Sequence, residues 1–130
     1  MAPERSARCL VVDDNPLVRW SVVRFLETCC LEARSVESGE LALALMREWP
    51  VDLLITDASL PGMEQGAFVR RCQGLCPRPR IILLTAGEGQ LPPADLEGLG
   101  VIGMIEKPLV TDRLGQLLAG LLQRADETAA

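Results

Sequence analysis

Leu54-Ile55-Thr56-Asp57 is a short apolar run that ends in a carboxylate, and the chain then turns at Pro61-Gly62. An apolar run without polar alternation is typical of a strand that is covered on both faces, as in a parallel sheet. We therefore predict a strand over residues 51–56. Such a strand delivers the carboxylate of Asp57 to its carboxyl end.

Three other apolar runs of the chain are followed by a polar residue in the same way. The residues that follow them are Asp13 with Asp14, then Thr85, and then Lys107. The carboxyl ends of parallel strands meet at one edge of a sheet, and ligands bind there, where the strand order reverses. We therefore expect these side chains to converge on Asp57.

Segments with helical periodicity alternate with the apolar runs. Asn15-Pro16 and Ser38 are typical helix starts, and Thr111 begins a leucine-rich last helix. The predicted inward faces are Leu17, Val18, Val22, Phe25 and Leu26 in the first helix, and Leu41, Ala42, Leu45 and Met46 in the second. The predicted strands are 8–12, 32–36, 51–56, 80–85 and 101–105, and a short third helix is predicted within 65–74 with Phe68, Val69 and Cys72 inward. This alternation predicts an α/β fold with a doubly wound parallel sheet.

Composition excludes several classes of function. A chain of 130 residues, 48% of them apolar, is the size of one domain, and a net charge of −5 argues against a nucleic-acid surface. We see neither a signal peptide nor a membrane span, so we expect a cytoplasmic protein that does not bind membranes. The five cysteines have no zinc spacing and no histidine partner, and we expect them to be small buried residues.

The chemistry expected at the shared edge is phosphoryl transfer. Carboxylates that gather within a few ångströms repel one another unless a cation lies among them, and an oxygen-only set favours Mg²⁺. A carboxylate beside that ion is able to form an aspartyl phosphate. Lys107 is the only lysine among 13 basic residues, which favours a functional role for its ammonium group.

Together these motifs resemble the receiver domain of bacterial response regulators. The family carries an acidic pair after the first strand, an aspartate after the third, Thr or Ser after the fourth, and Lys-Pro after the fifth. The resemblance covers residues 9–124, within a single receiver domain over 1–130 whose ordered core is 8–124. It implies a flavodoxin-like (βα)5 fold with strand order 2-1-3-4-5.

The resemblance also implies roles for the site residues. Asp57 would accept a phosphoryl group from a histidine kinase or phosphotransfer protein. Mg²⁺ would be bound by Asp57, by Asp14, by Asp13 directly or through water, and by the backbone carbonyl of Ser59. It further implies that the domain is no enzyme beyond phosphorylating itself from a phosphodonor and dephosphorylating itself.

Two further residues complete the implied switch. Lys107 would pair with Asp57 and later with its phosphate. Thr85 would move to bind that phosphate and so start a conformational change. The output partner, the kinase and the lifetime of the phosphate are left open, as is phosphorylation-dependent dimerisation.

The sequence departs from the family pattern in two places. Met104 stands where receivers commonly have Tyr or Phe, three residues before the lysine. The segment 87–100, rich in Gly and Pro, predicts a shortened or irregular fourth helix. Both departures concern the surface through which receivers usually signal.

Two alternative functions remain beside the phospho-accepting receiver. A pseudo-receiver would keep the fold and act as a constitutive docking module. A Mg²⁺-dependent phosphohydrolase of the haloacid-dehalogenase type would use an aspartyl intermediate, although Asp13-Asp14 lacks the Asp-x-Asp spacing of that family. The chain could be a free-standing regulator, part of a hybrid kinase, or a fragment, and Arg19-Trp20-Ser21 resembles receivers of nitrogen-regulation-type activators.

Overall fold

In a computed structural model, the chain forms one parallel sheet of five strands with helices on both faces. The structure describes residues 7–58, 60, 62, 67–85 and 99–106. The strands are β1 (Arg8–Val12), β2 (Glu32–Val36), β3 (Leu53–Asp57), β4 (Arg80–Thr85) and β5 (Val101–Glu106), and the helices are α1 (Pro16–Thr28), α2 (Gly39–Glu48) and α3 (Ala67–Arg71), the last followed by a 3₁₀ turn at Cys72–Gly74. The strand order is β2-β1-β3-β4-β5, which confirms the predicted flavodoxin-like α/β topology.

The core has two layers, one on each face of the sheet. One layer joins alternate strand residues to α2 and α3 through Ala42, Met46, Phe68 and Val69. The other joins the remaining strand residues to α1 through Val22 and Leu26. Because both faces are covered, β1, β3 and β4 are apolar at consecutive positions.

The strand boundaries agree closely with the sequence predictions. β1, β2 and β4 have the predicted limits. β3 begins later than predicted, at Leu53, and it includes Asp57, whose partner in the β3–β4 register is Leu84. Asp52 still ties the start of β3 to both neighbours, because its N–H donates to the carbonyl of Arg8 and its own carbonyl accepts from the N–H of Arg80.

An irregularity in the β4–β5 pairing places one extra residue in β5. Ile81 pairs with Val101 but Ile82 pairs with Gly103, so Ile102 has no opposite residue in this register. From Gly103 onward the pairing is regular as far as Thr85 opposite Glu106. The extra residue is a β-bulge, which changes the face that each following side chain occupies.

Two leucines predicted to lie in the core are exposed. Leu17 is 73% exposed and Leu41 is 50% exposed, so the prediction is wrong at both positions. At 100° per residue, Leu17 lies about 140° around α1 from Val22, and Leu41 lies about 100° around α2 from Ala42. The other residues of the two predicted faces are buried or partly buried: Val18, Val22, Phe25 and Leu26 in α1, and Ala42, Leu45 and Met46 in α2.

The prediction for the cysteines is correct for two of the five. Cys9 and Cys72 are buried, and burial is the main cause that raises the pKa of each thiol to about 12. Cys29 is half-buried, whereas Cys30 and Cys76 are exposed, which contradicts the expectation for that pair. Both exposed residues lie in turns: Cys30 follows α1 with a φ of 63°, and Cys76 precedes Pro77.

The third helix lies within the predicted segment 65–74, of which residues 67–74 are described, and Phe68, Val69 and Cys72 are buried as expected. The segment 87–98, the leucine-rich last helix, Lys107 and Ser59 lie outside the described residues. Within the described part of the chain, no helix is both long and apolar enough to cross a membrane.

Candidate functional site

The carboxyl ends of β1 and β3 bring the predicted acidic residues together. Val12 is opposite Thr56 in the β1–β3 register, so Asp13 and Asp57 are the next residues of the two neighbouring strands. β1 is flanked by β2 on one side and β3 on the other, which makes this the point where the strand order reverses. The predicted convergence is therefore observed for these residues.

Asp13, Asp14 and Asp57 form an acidic cluster. One carboxylate oxygen of each residue lies within 4.8 Å of those of the other two. Asp13 is buried, Asp57 is half-buried and Asp14 is exposed. Three hard oxygen donors that repel one another when ionised fit Mg²⁺, which binds through a few carboxylates and keeps several waters. The donor set therefore fits the cofactor that the sequence predicts.

Hydrogen bonds to β2 and α1 fix the position of Asp13. Its N–H donates to the carbonyl of Val36 at 3.3 Å, and its carbonyl accepts from Nη1 of Arg19 at 2.7 Å. Its Oδ1 accepts from the N–H of Asn15 at 2.9 Å, which is an Asx-type turn. These contacts join β1 to its neighbours at the acidic cluster.

Asn15 then starts α1 beside the cluster. Its Oδ1 accepts from the N–H groups of Leu17 and Val18 at 2.9 and 3.4 Å. Pro16 occupies the first helical position, where no N–H is needed. This local sequence fixes the direction in which the chain leaves the acidic pair.

Thr85 and Thr56 lie on the strands next to the cluster. Thr85 ends β4 and is only 5% exposed, while Leu84 before it is opposite Asp57. Ala58 continues past Asp57 with its N–H donating to the carbonyl of Leu84 at 2.9 Å. Thr56 is fully buried, and its hydroxyl donates to the backbone carbonyl of Asp57 at 3.0 Å.

Two predicted site residues, Lys107 and Ser59, lie outside the described residues. Lys107 directly follows Glu106, which ends β5 opposite Thr85. The roles of both residues therefore stay predictions from sequence.

Sequence reasoning missed two residues of the site, Arg19 and Thr56. For Arg19 a usable signal exists, because a basic residue one turn into a helix that follows an acidic loop is able to reach back to that loop. Thr56 belongs to the apolar run that forms β3, and a hydroxyl bond to the next carbonyl has no sequence signature.

Comparison with known proteins places this site in a family. The family model described as "Response regulator receiver domain" matches residues 9–119. The chain belongs to this family. It is therefore a receiver domain of two-component signalling. The matched part of the chain contains the four predicted site residues that the structure describes, Asp13, Asp14, Asp57 and Thr85.

Curated relatives of the receiver include both sensors and regulators. The virulence sensor protein BvgS of Bordetella pertussis is 32% identical over 130 residues, which cover 95% of this chain and 10% of that protein. The DNA-binding transcriptional regulator NtrC of Salmonella typhimurium is 26% identical over 117 residues, covering 90% of this chain and 25% of that protein. The receiver thus spans a quarter or less of the length of these relatives.

Solved structures agree with the observed fold. A CheY-like receiver domain from Methanospirillum hungatei has a TM-score of 0.84 at 22% identity, covering 95% of this receiver and 99% of that chain. The chemotaxis response regulator CheY4 of Vibrio cholerae has a TM-score of 0.74 at 25% identity, with 92% and 98% covered. The receiver fold is thus shared by proteins whose sequences differ from this one at most positions.

Met104 is the described departure from the family pattern. It lies in β5 opposite Leu83 and is partly buried against the core layer of α2 and α3. A flexible thioether therefore packs on this face at the position where the family commonly has an aromatic ring.

Proposed function

We propose that this receiver accepts a phosphoryl group on Asp57, from the phosphohistidine of a histidine kinase or phosphotransfer protein, with Mg²⁺ bound at the acidic cluster. Phosphorylation then changes the surface that the receiver offers to an output domain or protein. We place the reaction in the cytoplasm, and we propose no turnover of an external substrate beyond phosphorylation and dephosphorylation of the receiver itself.

The observation that carries this proposal is the convergence of three carboxylate oxygens within 4.8 Å at the carboxyl edge of the sheet. Of the three residues, Asp57 is half-buried at the end of β3, so the residue is partly exposed at the edge that a phosphodonor would approach. Asp13 is buried and braced by neighbouring elements, which suits a fixed ligand rather than a nucleophile.

The transfer itself is a displacement at phosphorus. A carboxylate oxygen of Asp57 forms the new P–O bond as the P–N bond to the donor histidine breaks, and the imidazole nitrogen keeps the electron pair of that bond and takes a proton from water. When bound, Mg²⁺ supplies positive charge that offsets the charge of the carboxylates and the phosphoryl oxygens. Hydrolysis later cleaves the P–O bond with water and restores the carboxylate.

The other residues of the site bind either Mg²⁺ or the phosphoryl group. We assign to Asp13, Asp14 and the Ser59 carbonyl the binding of Mg²⁺. We assign to the Lys107 ammonium the neutralisation of a phosphoryl oxygen, and to the Thr85 hydroxyl a hydrogen bond to another. The place of Thr85 at the end of β4, one residue beyond the partner of Asp57, supports this role.

The test is intact mass after incubation with acetyl phosphate, with and without Mg²⁺. We expect a Mg²⁺-dependent gain of about 80 Da, one phosphoryl group, on wild type. The gain should be lost in Asp57→Asn and kept in Asp52→Asn. Asp52 is a matched control because it is an exposed carboxylate at the opposite end of β3, where it accepts from the N–H of Arg8.

Other outcomes would point to the alternative functions. A wild type that neither gains mass nor forms a stable beryllofluoride complex would be a constitutive docking module. Steady hydrolysis of a small phosphomonoester that depends on Asp13 would instead indicate a phosphohydrolase, which membership of the receiver family does not favour.

A further inference from the structure

We propose that Thr56 is a positioning residue for the acidic cluster: its buried hydroxyl holds the peptide bond that follows Asp57 and thereby sets the direction in which the Asp57 carboxylate points. The role rests on the proposed Mg²⁺ site. It adds to that site a residue that would touch neither the ion nor the phosphoryl group.

The peptide between Asp57 and Ala58 is hydrogen-bonded at both of its polar groups. Its carbonyl accepts from the Thr56 hydroxyl at 3.0 Å. Its N–H donates to the carbonyl of Leu84 at 2.9 Å. The two bonds fix this peptide plane with respect to β3 and β4.

The Thr56 bond lies where the regular pairing of β1 and β3 stops. The last pair in that register is Val12 opposite Thr56, one residue before Asp57. The hydroxyl of Thr56, the last residue of β3 paired with β1, thus donates to the carbonyl of Asp57, the first residue beyond that pairing. Thr56 is fully buried and Asp57 is half-buried, so the donor side of the bond is shielded from water.

A fixed peptide plane matters because it sets the direction of the neighbouring side chain. A peptide is planar, so holding it at both ends restricts the ψ angle of Asp57. With ψ restricted, the direction of the Cα–Cβ bond of Asp57 is fixed relative to Asp13 and Asp14. Mutation of a residue that hydrogen-bonds and orients a metal ligand typically changes metal affinity by about 10- to 100-fold.

A purely structural role for Thr56 makes a different prediction. A buried hydroxyl needs a hydrogen-bond partner in any protein, and the nearest carbonyl would satisfy it. On that account, replacing Thr56 with the similarly shaped Val changes the stability of the fold but leaves the Mg²⁺ affinity as it was.

The experiment compares three variants of the full chain with wild type. Thr56→Val removes the hydroxyl, Thr56→Ser keeps it, and Ile55→Val removes a methylene from the adjacent buried position of the same strand. Mg²⁺ affinity is measured by titration followed by amide NMR, and the melting temperature is measured without divalent ions. Thr56→Ala is the substitute if Thr56→Val does not fold.

We expect Thr56→Val to bind Mg²⁺ about tenfold more weakly than wild type, because the ligand Asp57 loses the hydrogen bond that orients it. We expect Thr56→Ser and Ile55→Val to stay within about twofold, even where their melting temperatures fall. Equal Mg²⁺ affinities of wild type and Thr56→Val would overturn the proposal, as would a Thr56→Ser variant as weak as Thr56→Val, or a wild type that does not bind Mg²⁺.

The same samples separate this proposal from the proposed function. If wild type gains no phosphoryl group from acetyl phosphate while Thr56→Val still weakens Mg²⁺ binding, Thr56 positions a metal site and the phospho-acceptor role of Asp57 fails. If both hold, Thr56→Val should also slow phosphorylation at saturating acetyl phosphate, and Thr56→Ser should restore the rate.

Discussion

The guanidinium of Arg19 in α1 donates a hydrogen bond from Nη1 to the backbone carbonyl of Asp13 at 2.7 Å. The bond joins the first helix to the loop that carries two of the three clustered carboxylates. Because Arg19 binds the carbonyl of Asp13 through this bond, it fixes the position of the loop at a main-chain atom. The receiver therefore braces its acidic pair from the first helix.

The Arg19 contact should contribute to stability. Arg19→Met keeps most of the side-chain volume and removes the donor, so we expect the free energy of unfolding in urea to fall by about 1 kcal/mol. Arg24→Met is the control for the loss of a cation from the same helix, and we expect it to lose only about 0.5 kcal/mol, because Arg24 makes a cation–π contact with the exposed Trp20 ring. A loss in Arg24→Met as large as that in Arg19→Met would contradict the assigned role.

Removing one carboxylate from the cluster should stabilise the receiver when no divalent ion is present. The three carboxylates lie close together and repel one another when ionised. We expect Asp14→Asn to raise the melting temperature in EDTA by about 3 °C and to reduce the further rise on adding Mg²⁺. Asp52→Asn removes a carboxylate far from the cluster and should not raise the melting temperature in EDTA. A rise in this variant would mean that the lower net charge alone stabilises the receiver.

The buried thiol of Cys72 should make stability depend on alkaline pH. Burial raises its pKa to about 12 from the ordinary value of 9.0, so above pH 9 the unfolded chain loses this proton while the folded chain keeps it. Stability from this thiol is thus complete below pH 9 and falls as pH rises toward 12, by up to about 1.4 kcal/mol per pH unit.

Urea unfolding at pH 8 and at pH 10 measures this dependence. The free energy of unfolding should fall less between pH 8 and pH 10 in Cys72→Ala than in wild type, whatever the stability of the variant at pH 8. Cys30→Ser, which changes an exposed thiol, should decline as wild type does. Identical declines in all three proteins would show that Cys72 does not carry the effect.

The cap of α1 gives a further prediction. The Asn15 side chain accepts from two N–H groups of the first turn, so Asn15→Ala should cost about 1 kcal/mol of unfolding free energy. Asn15→Ser keeps an uncharged acceptor beside the acidic pair and should cost less. Denaturant unfolding of the two variants is the measurement, and an equal cost would mean that the cap bonds contribute little.

The sheet and the acidic cluster could be predicted from sequence because both follow from local rules. Apolar runs such as Leu54-Ile55-Thr56 identify strands covered on both faces, and parallel strands end at a common edge. Three of five strands therefore have the predicted limits. The position of Asp57 beside Asp13 then follows from topology alone.

The errors arose where tertiary contacts decide the outcome. Leu17 and Leu41 are apolar residues within helices, but they lie beside the buried stripe rather than in it. Cys30 is a residue type that is often buried, yet the turn after α1 exposes it. The hydroxyl bond of Thr56 depends on where the β1–β3 pairing stops, which no pattern of residue types encodes.

The bulge at Ile102 determines which face of the sheet each side chain at the end of β5 occupies. Val101 and Met104 are three residues apart, so in a regular strand they would face opposite sides, yet both pack against the layer of α2 and α3. Ile105 accordingly packs in the layer of α1. The bulge therefore keeps the residues from Gly103 onward in phase with β4. If Ile102 were paired opposite Ile82 instead, with no bulge, the alternation from Gly103 onward would be reversed: the methionine at the family's aromatic position would face α1, and a partner that binds β5 would meet the opposite set of side chains.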